Sequence, residues 1–357
     1  ILLDSARQIE MRAYGESDYH FRTDDVERLG GLWNIAQYEK PVDLGDGITL
    51  RFFDAGHILG SASAEITVAK NGTKKTIVFS GDLGRYDSPI LRDPAKLPGA
   101  DALLIETTYG DRLHDMAKNR ERLKEVVRGV ASQGGRLIIP AFAIGRTQAI
   151  LFELDQLVRK GEVPKVPVYL DSPLGSRITD VYKRHEDCFD DETKALLKSG
   201  DSVFDFPGLT VTQKPQASGE IEHLPPPAII IAGSGMMNGG RVLNHLRAFI
   251  GDPKTTVLVV GFQAKGTLGR ELLEGAKDVN IEDRSFKVRA QVSAINGFSA
   301  HADRDELTRW LSAFGTKPST IFCTHGEPAA ATAFAGTIKE RCGIAAGIPG
   351  SGDSVEI

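Results

Sequence analysis

Residues 52–63 read FFDAGHILGSAS, and residues 78–85 read VFSGDLGR. In each, an apolar, strand-like run ends and a Gly- or Ser-rich loop begins. Each loop carries one group suited to metal or phosphate chemistry, His57 in the first and Asp82 in the second. The pattern recurs at residues 320–327, TIFCTHGE, with His325, and just upstream at residues 297–303, GFSAHAD, with His301. Loops at strand ends converge in α/β proteins and hold their ligands there. Imidazole nitrogen and carboxylate oxygen are suitable ligands for Zn²⁺, and an open coordination position makes such a site hydrolytic.

Taken singly, each position also has a plain reading. His57 can cap a strand end through a backbone hydrogen bond. Asp82 can be a turn aspartate. His325 can sit beside a helix start without a metal. In GFSAHAD, Ser299 can cap a helix whose first turn holds the Asp303 carboxylate. Short motifs alone do not separate these readings.

Working outward, Ile48–Asp54, Ala62–Ala69 and Lys74–Ser80 read as consecutive strands rich in β-branched and aromatic residues, with Asn71-Gly72 as a hairpin turn. Ala102–Glu106 reads as a further buried strand. The texture then changes. Asp115–Ser132 is charged and helix-like, with Val126, Val127 and Val130 on an apolar face. Strands at Arg136–Pro140, Val166–Leu170, Ile229–Ala232 and Thr256–Gly261 alternate with helices at Thr147–Lys160 and Arg241–Ile250, which implies βαβ units and a mostly parallel sheet. Pro225-Pro226-Pro227 marks a stiff connection within this region. After about Ser285, Phe286–Ile295 and Thr320–Cys323 read as strands, Asp303–Phe314 and Ala329–Arg341 as helices. One domain interrupted by another is the simplest organisation: residues 1–112, an insert at 113–285, and a return at 286–357.

The 357 residues suit about two domains. No run of 18 apolar residues occurs, so nothing reads as a membrane helix. The three cysteines (Cys188, Cys323, Cys342) form no CxxC pair, which fits a reducing cytoplasm. Alternation along its strand turns Cys323 into the core. A net charge of −5 requires any nucleic-acid binding to use a local basic groove. Two Gly-rich segments supply candidate anion sites, because consecutive backbone N–H groups at a helix start cradle phosphates. The first, residues 232–241, holds Ser234, Gly235 and Arg241. The second, residues 260–270, holds Lys265, Thr267 and Arg270. A tight βα turn is the plain reading of either. Arg146, in residues 143–147, is a further candidate phosphate partner, since a guanidinium fork fits phosphate bidentately.

The order and wording of these segments resemble the β-CASP branch of the metallo-β-lactamase superfamily, and its RNA-acting members most. The resemblance runs from Asp4-Ser5-Ala6-Arg7 to His325-Gly326-Glu327 and includes Glu106-Thr107-Thr108-Tyr109-Gly110. It implies an αββα metallo-β-lactamase sandwich with an inserted β-CASP α/β domain and an active site between them. It implies two zinc ions per active site in the complete protein, with His57 on one, His325 on the other and Asp82 shared. It makes His301 the general acid, with Glu106 bonded to it. A histidine at position 325 favours RNA over DNA, since DNA-acting relatives have an aliphatic residue there. One departure is large: the family's HxHxDH signature is not found. It is expected upstream of Ile1, and the chain alone is expected to be inactive and to bind zinc poorly.

The function implied is a zinc-dependent ribonuclease, endonucleolytic or 5′-to-3′ exonucleolytic, acting on RNA as a homodimer or in an RNA-processing complex. Two alternatives remain: a catalytically impaired RNA-binding subunit, and a small-substrate metallo-hydrolase.

Overall fold

The computed structural model describes residues 1–12, 21–114 and 116–357. Its strands, in chain order, are β1 (Val42–Gly45), β2 (Ile48–Asp54), β3 (Ala62–Lys70), β4 (Thr73–Phe79), β5 (Ala102–Glu106), β6 (Arg136–Pro140), β7 (Val168–Asp171), β8 (Leu209–Val211), β9 (Ala228–Ala232), β10 (Thr255–Val259), β11 (Asp278–Ile281), β12 (Arg284–Lys287), β13 (Gln291–Ala294), β14 (Thr320–Thr324) and β15 (Ala346–Gly347).

Seven of them form one sheet in the order β1-β2-β3-β4-β5-β14-β15. The first four are antiparallel, and β4, β5, β14 and β15 run parallel. Lys70 pairs with Thr73 across the β3–β4 hairpin. Asn71 and Gly72 between them both have positive φ, 51° and 76°, which the two-residue turn demands. Helices Arg304–Ser312 and Pro328–Cys342 cover one face of this sheet. Their Leu307, Trp310 and Phe334 bury against Val78, Leu103, Ile105 and Ile321. Cys323 belongs to this core, as its strand alternation requires.

The second sheet has the order β13-β10-β6-β9-β7-β8, and every pairing in it is parallel. Its central strands are buried end to end, as strands covered on both faces must be. Successive residues show why: Leu137 and Ile139 enter one apolar core, while Ile138 enters the other.

Phe286–Ile295 is not one strand. It divides into β12, which pairs only with β11, and β13, which joins the second sheet beside β10. Pairing with two different partners breaks a run that composition alone makes continuous. The helix expected over Asp115–Ser132 spans Met116–Gln133, and Asp115 lies outside the described residues. Among the described residues, no helix is long and apolar enough to cross a membrane.

Candidate active site

β2 ends at Asp54, whose carboxylate accepts the Gly56 N–H at 2.9 Å and so turns the chain. The hydroxyl of Ser61 then accepts the N–H groups of His57 and Ile58 at 3.1 and 3.2 Å. The loop after β4 packs directly on this turn. Gly84 N–H donates to the Ala55 carbonyl at 2.7 Å, and a Cβ on Gly84 would fall 1.9 Å from the Gly56 carbonyl oxygen. Only glycine permits that approach, and it brings Asp82 beside His57.

β5 and β14 run side by side, with Glu106 paired to Thr324. Their next residues therefore meet: Thr107 N–H donates to the His325 carbonyl at 3.2 Å. His325 has φ +47°, an uncommon conformation for a side-chain-bearing residue and one that recurs at functional sites. His301 is carried in by the segment before helix Arg304–Ser312, where the Ala302 N–H donates to the Leu83 carbonyl at 2.8 Å. Asp303, not Ser299, caps that helix, accepting the N–H groups of Asp305 and Glu306. The imidazole two residues earlier takes no part in the cap.

Four side chains predicted from separate segments thus converge. Asp82 lies between two of the histidines. Its Oδ2 is 3.9 Å from His57 Nε2, and its Oδ1 is 3.3 Å from His325 Nδ1. The imidazole of His301 lies between the same two rings, 4.4 Å from His57 and 5.9 Å from His325 by ring centroids. Two donors on one tetrahedral zinc lie about 3.4 Å apart. The Asp82 distances bracket that spacing, so each of these histidines could share a metal with one Asp82 oxygen. With one histidine at each Asp82 oxygen, the three are only part of the ligand set for two ions. One ligand atom from each of His57, Asp82 and His301 also falls within 4.8 Å of the others.

Burial, aided by the charge of His301, pushes the His57 pKa down to about 4. At neutral pH His57 is therefore the uncharged imidazole that a metal takes. His301 moves the other way. Burial opposes its charge, but its hydrogen bond to Glu106 and the charge of that carboxylate outweigh burial and raise its pKa. Glu106 is 1% exposed. Burial would raise its pKa, yet the bond to His301, with those from the Thr108 and Leu83 N–H groups, holds it low. An ionised carboxylate only accepts, so Nδ1 of His301 carries the hydrogen in the 3.0 Å bond to Glu106 Oε1. Nε2 is left for the cleft.

The site opens into a cleft of about 730 Å³ between the layers, lined by all four of these groups and, from the other side, by Phe142, Arg146 and Phe262. Arg146 is buried, and its Nε has no hydrogen-bond partner. Burial, reinforced by Arg85, lowers its pKa to about 10, so it stays cationic at neutral pH.

The other candidate arginines are occupied elsewhere. Arg241 binds Asp171 Oδ1 at 2.6 Å and the carbonyls of Thr212 and Gln213 at 3.1 and 2.7 Å. Asp171, fully buried, also takes hydrogen bonds from Ser218, Thr212 and His245. This makes Arg241 a structural counter-ion. Arg270 pairs with Glu274 one helical turn on, at 2.6 Å. Neither lines the cleft. Thr267 caps helix Leu268–Leu273, Ser234 accepts the Asn238 N–H at 3.1 Å, and the Gly235 carbonyl accepts from Gln263. Lys265 is exposed. Sequence reasoning missed Phe142 and Phe262. Their only local signal is a position just beyond β6 and β10, where strand ends line ligand sites.

Residues 147–272 match the Beta-Casp domain, and residues 285–349 match the Zn-dependent metallo-hydrolase RNA specificity domain. The chain is 37% identical over 308 residues to a Thermus thermophilus ribonuclease, an alignment covering 86% of this chain and 69% of the relative. It is 32% identical over 351 residues to an RNase J-like protein of Methanocaldococcus jannaschii, covering 97% of this chain and 78% of that protein. The Methanosarcina mazei transcription termination factor FttA is 33% identical over 318 residues, and the match spans 49% of its length.

Proposed function

The chain belongs to the RNA-acting β-CASP family of metallo-β-lactamase-fold hydrolases, and from that premise we propose that it is a zinc-dependent ribonuclease hydrolysing phosphodiester bonds in RNA. The observation that carries the reading is Asp82 set between His57 and His325, with the hydrogen-bonded pair Glu106–His301 beside them. Two ions per site, sharing Asp82, is the arrangement we propose, with His57 on one and His325 on the other. When bound, zinc supplies Lewis acidity, which activates water and offsets phosphate charge.

The chain's own residues do the rest. Arg146 faces the scissile phosphate as a fixed cation in a dry setting, where charge is worth more than in water. Glu106 keeps His301 protonated and fixes its tautomer. Nε2 of His301 then gives a proton to the departing ribose oxygen as the P–O bond breaks and the water oxygen bonds to phosphorus. Proton transfer of this kind contributes about 10²–10⁴-fold. Ser234, Lys265 and Thr267 lie on the loops of the cleft-lining Met236 and Ala264 and are proposed to guide the strand beyond the scissile bond.

The match of residues 285–349 to an RNA specificity domain supports RNA over a compact ester or lactam. Three free cysteines fit a cytoplasmic setting. Assembly as a homodimer or within an RNA-processing complex is part of the proposal and is read by sedimentation. The central test incubates the zinc-loaded full-length protein with end-labelled RNA. Internal cuts or 5′-to-3′ shortening that stop on chelation support the reading; intact RNA overturns it.

A further inference from the structure

We propose that Phe142 is a platform on which a nucleobase of single-stranded RNA stacks beside the scissile phosphate; the inference rests on the ribonuclease reading above. Phe142 follows β6 by two residues, is 37% exposed and lines the cleft that holds His301 and His325. A single exposed phenyl group is unremarkable by itself. This one is held in a particular way.

A Cβ built on Gly235 would lie 2.7, 2.8 and 2.9 Å from Cδ2, Cε2 and Cγ of the ring. Three consecutive ring atoms at nearly equal distance place that point over the ring face. An approach in the ring plane would leave Cγ and Cε2 far beyond Cδ2. The ring therefore lies flat on the Gly235 backbone, which only a residue without a side chain allows. Gly261 comes within 3.7 Å of Cε2 on the same reckoning. The backbone is fixed as well, since the Phe142 carbonyl accepts both the N–H and the hydroxyl of buried Thr147, at 3.2 and 2.7 Å.

One face of the ring is thus braced by peptide and the exposed remainder looks into the cleft. Four residues on, Arg146 lines that cleft, and its buried Nε has no hydrogen-bond partner. A flat apolar face next to a fixed cation is complementary to one nucleotide, with its base on the ring and its phosphate on the guanidinium. Stacking of this type tolerates any base, because each has a π-face. It demands an unpaired strand, because a base inside a duplex has no free face. Gly235, expected to cradle phosphate, serves here to let the ring lie flat.

The test measures binding of the full-length protein in a slow-cutting His301→Ala background. The probes are a labelled single-stranded RNA, the same strand with abasic sites, and its duplex. Phe142→Ala and Phe142→Leu are expected to weaken the intact strand roughly tenfold to a hundredfold and to leave the abasic strand at its starting affinity. Phe142→Trp is expected to restore the loss. If Phe142→Leu binds the intact strand normally, if the abasic strand suffers equally, or if the duplex binds as tightly as the single strand, the platform is wrong. Absence of any RNA binding in the starting protein would overturn the ribonuclease reading instead, and this inference with it.

Discussion

Nδ1 of His301 lies 3.0 Å from Oε1 of Glu106, a carboxylate buried to 1% exposure that also accepts the Leu83 N–H at 2.7 Å. A buried carboxylate without partners would take up a proton. Here the donors keep it ionised, and it in turn favours the charged form of His301 and aims the ring. In the proposed mechanism the pair is the unit of proton donation, and its two halves shift in opposite directions.

Glu106→Gln is expected to lower the pKa of His301, because burial remains while the charge that opposed it is gone. The alkaline limb of the pH–rate profile, where the acid loses its proton, should move to lower pH. The same shift has a stability consequence. His301, raised in the folded state, stabilises the fold fully below its unfolded value of about 6.5 and loses that contribution as pH rises through the folded value. Glu106, depressed, contributes above its unfolded value and loses it as pH falls. An unmoved alkaline limb in Glu106→Gln would separate this pair from the chemistry.

Asp82→Ala and His301→Ala are expected to fail differently. Asp82 has one oxygen toward each of two histidines, so its loss should remove bound metal and hydrolysis together. His301→Ala should keep metal and slow cleavage by about 10²–10⁴-fold, with recovery on an RNA carrying a better leaving group. Metal counted by mass spectrometry beside the cleavage rate decides. Loss of zinc from His301→Ala would move that residue into the metal's ligand set, a role its position within 4.8 Å of His57 and Asp82 donors permits.

The strand that precedes His57 was legible to the residue, because Ile48–Asp54 is rich in β-branched and aromatic residues and ends in a glycine turn. His57, Asp82, His301 and His325 were legible for the same reason: each stands where a local pattern stops. The partner of Arg241 was not. Asp171 is distant in sequence, and nothing local in either segment encodes the bond. Phe142 was hidden because exposure at a strand end depends on what the facing loop leaves open. β13 was misjoined to β12 because sheet membership is decided by neighbours. Local order shows in a sequence; the choice among long-range partners shows only once the layers are assembled.

That choice bears on stability. Arg241→Ala is expected to cost about 3 kcal/mol or more, because it leaves the buried Asp171 carboxylate short of its counter-ion. Burial would raise the Asp171 pKa, but His245, Ser218, Thr212 and Arg241 hold it well below the usual carboxylate range. Its stabilisation is therefore full above the unfolded carboxylate value and is lost as pH falls. Arg270→Ala removes an exposed pair one turn apart and should cost about 0.3–0.5 kcal/mol. Urea unfolding midpoints of the two variants compare them, and equal midpoints would refute the assignment.

Arg146 is the cation we propose for the substrate phosphate. It is buried, Nε lacks a partner, and it lines the same wall as Phe142. An arginine desolvated without an anion is a cost the fold bears, and a phosphate would offset it. Arg146→Ala is expected to weaken RNA binding to a similar degree across unrelated sequences, since phosphate contacts position a strand without reading bases. The slope of log affinity against log salt should flatten by about 0.7 for a single strand. Arg146→Lys keeps the charge but not the fork, so it should retain the salt slope while losing part of the affinity. Salt titrations of all three proteins on two unrelated strands distinguish the outcomes. A sequence-dependent loss, or a slope unchanged in Arg146→Ala, would mean that Arg146 supports the cleft wall and that the phosphate is held elsewhere.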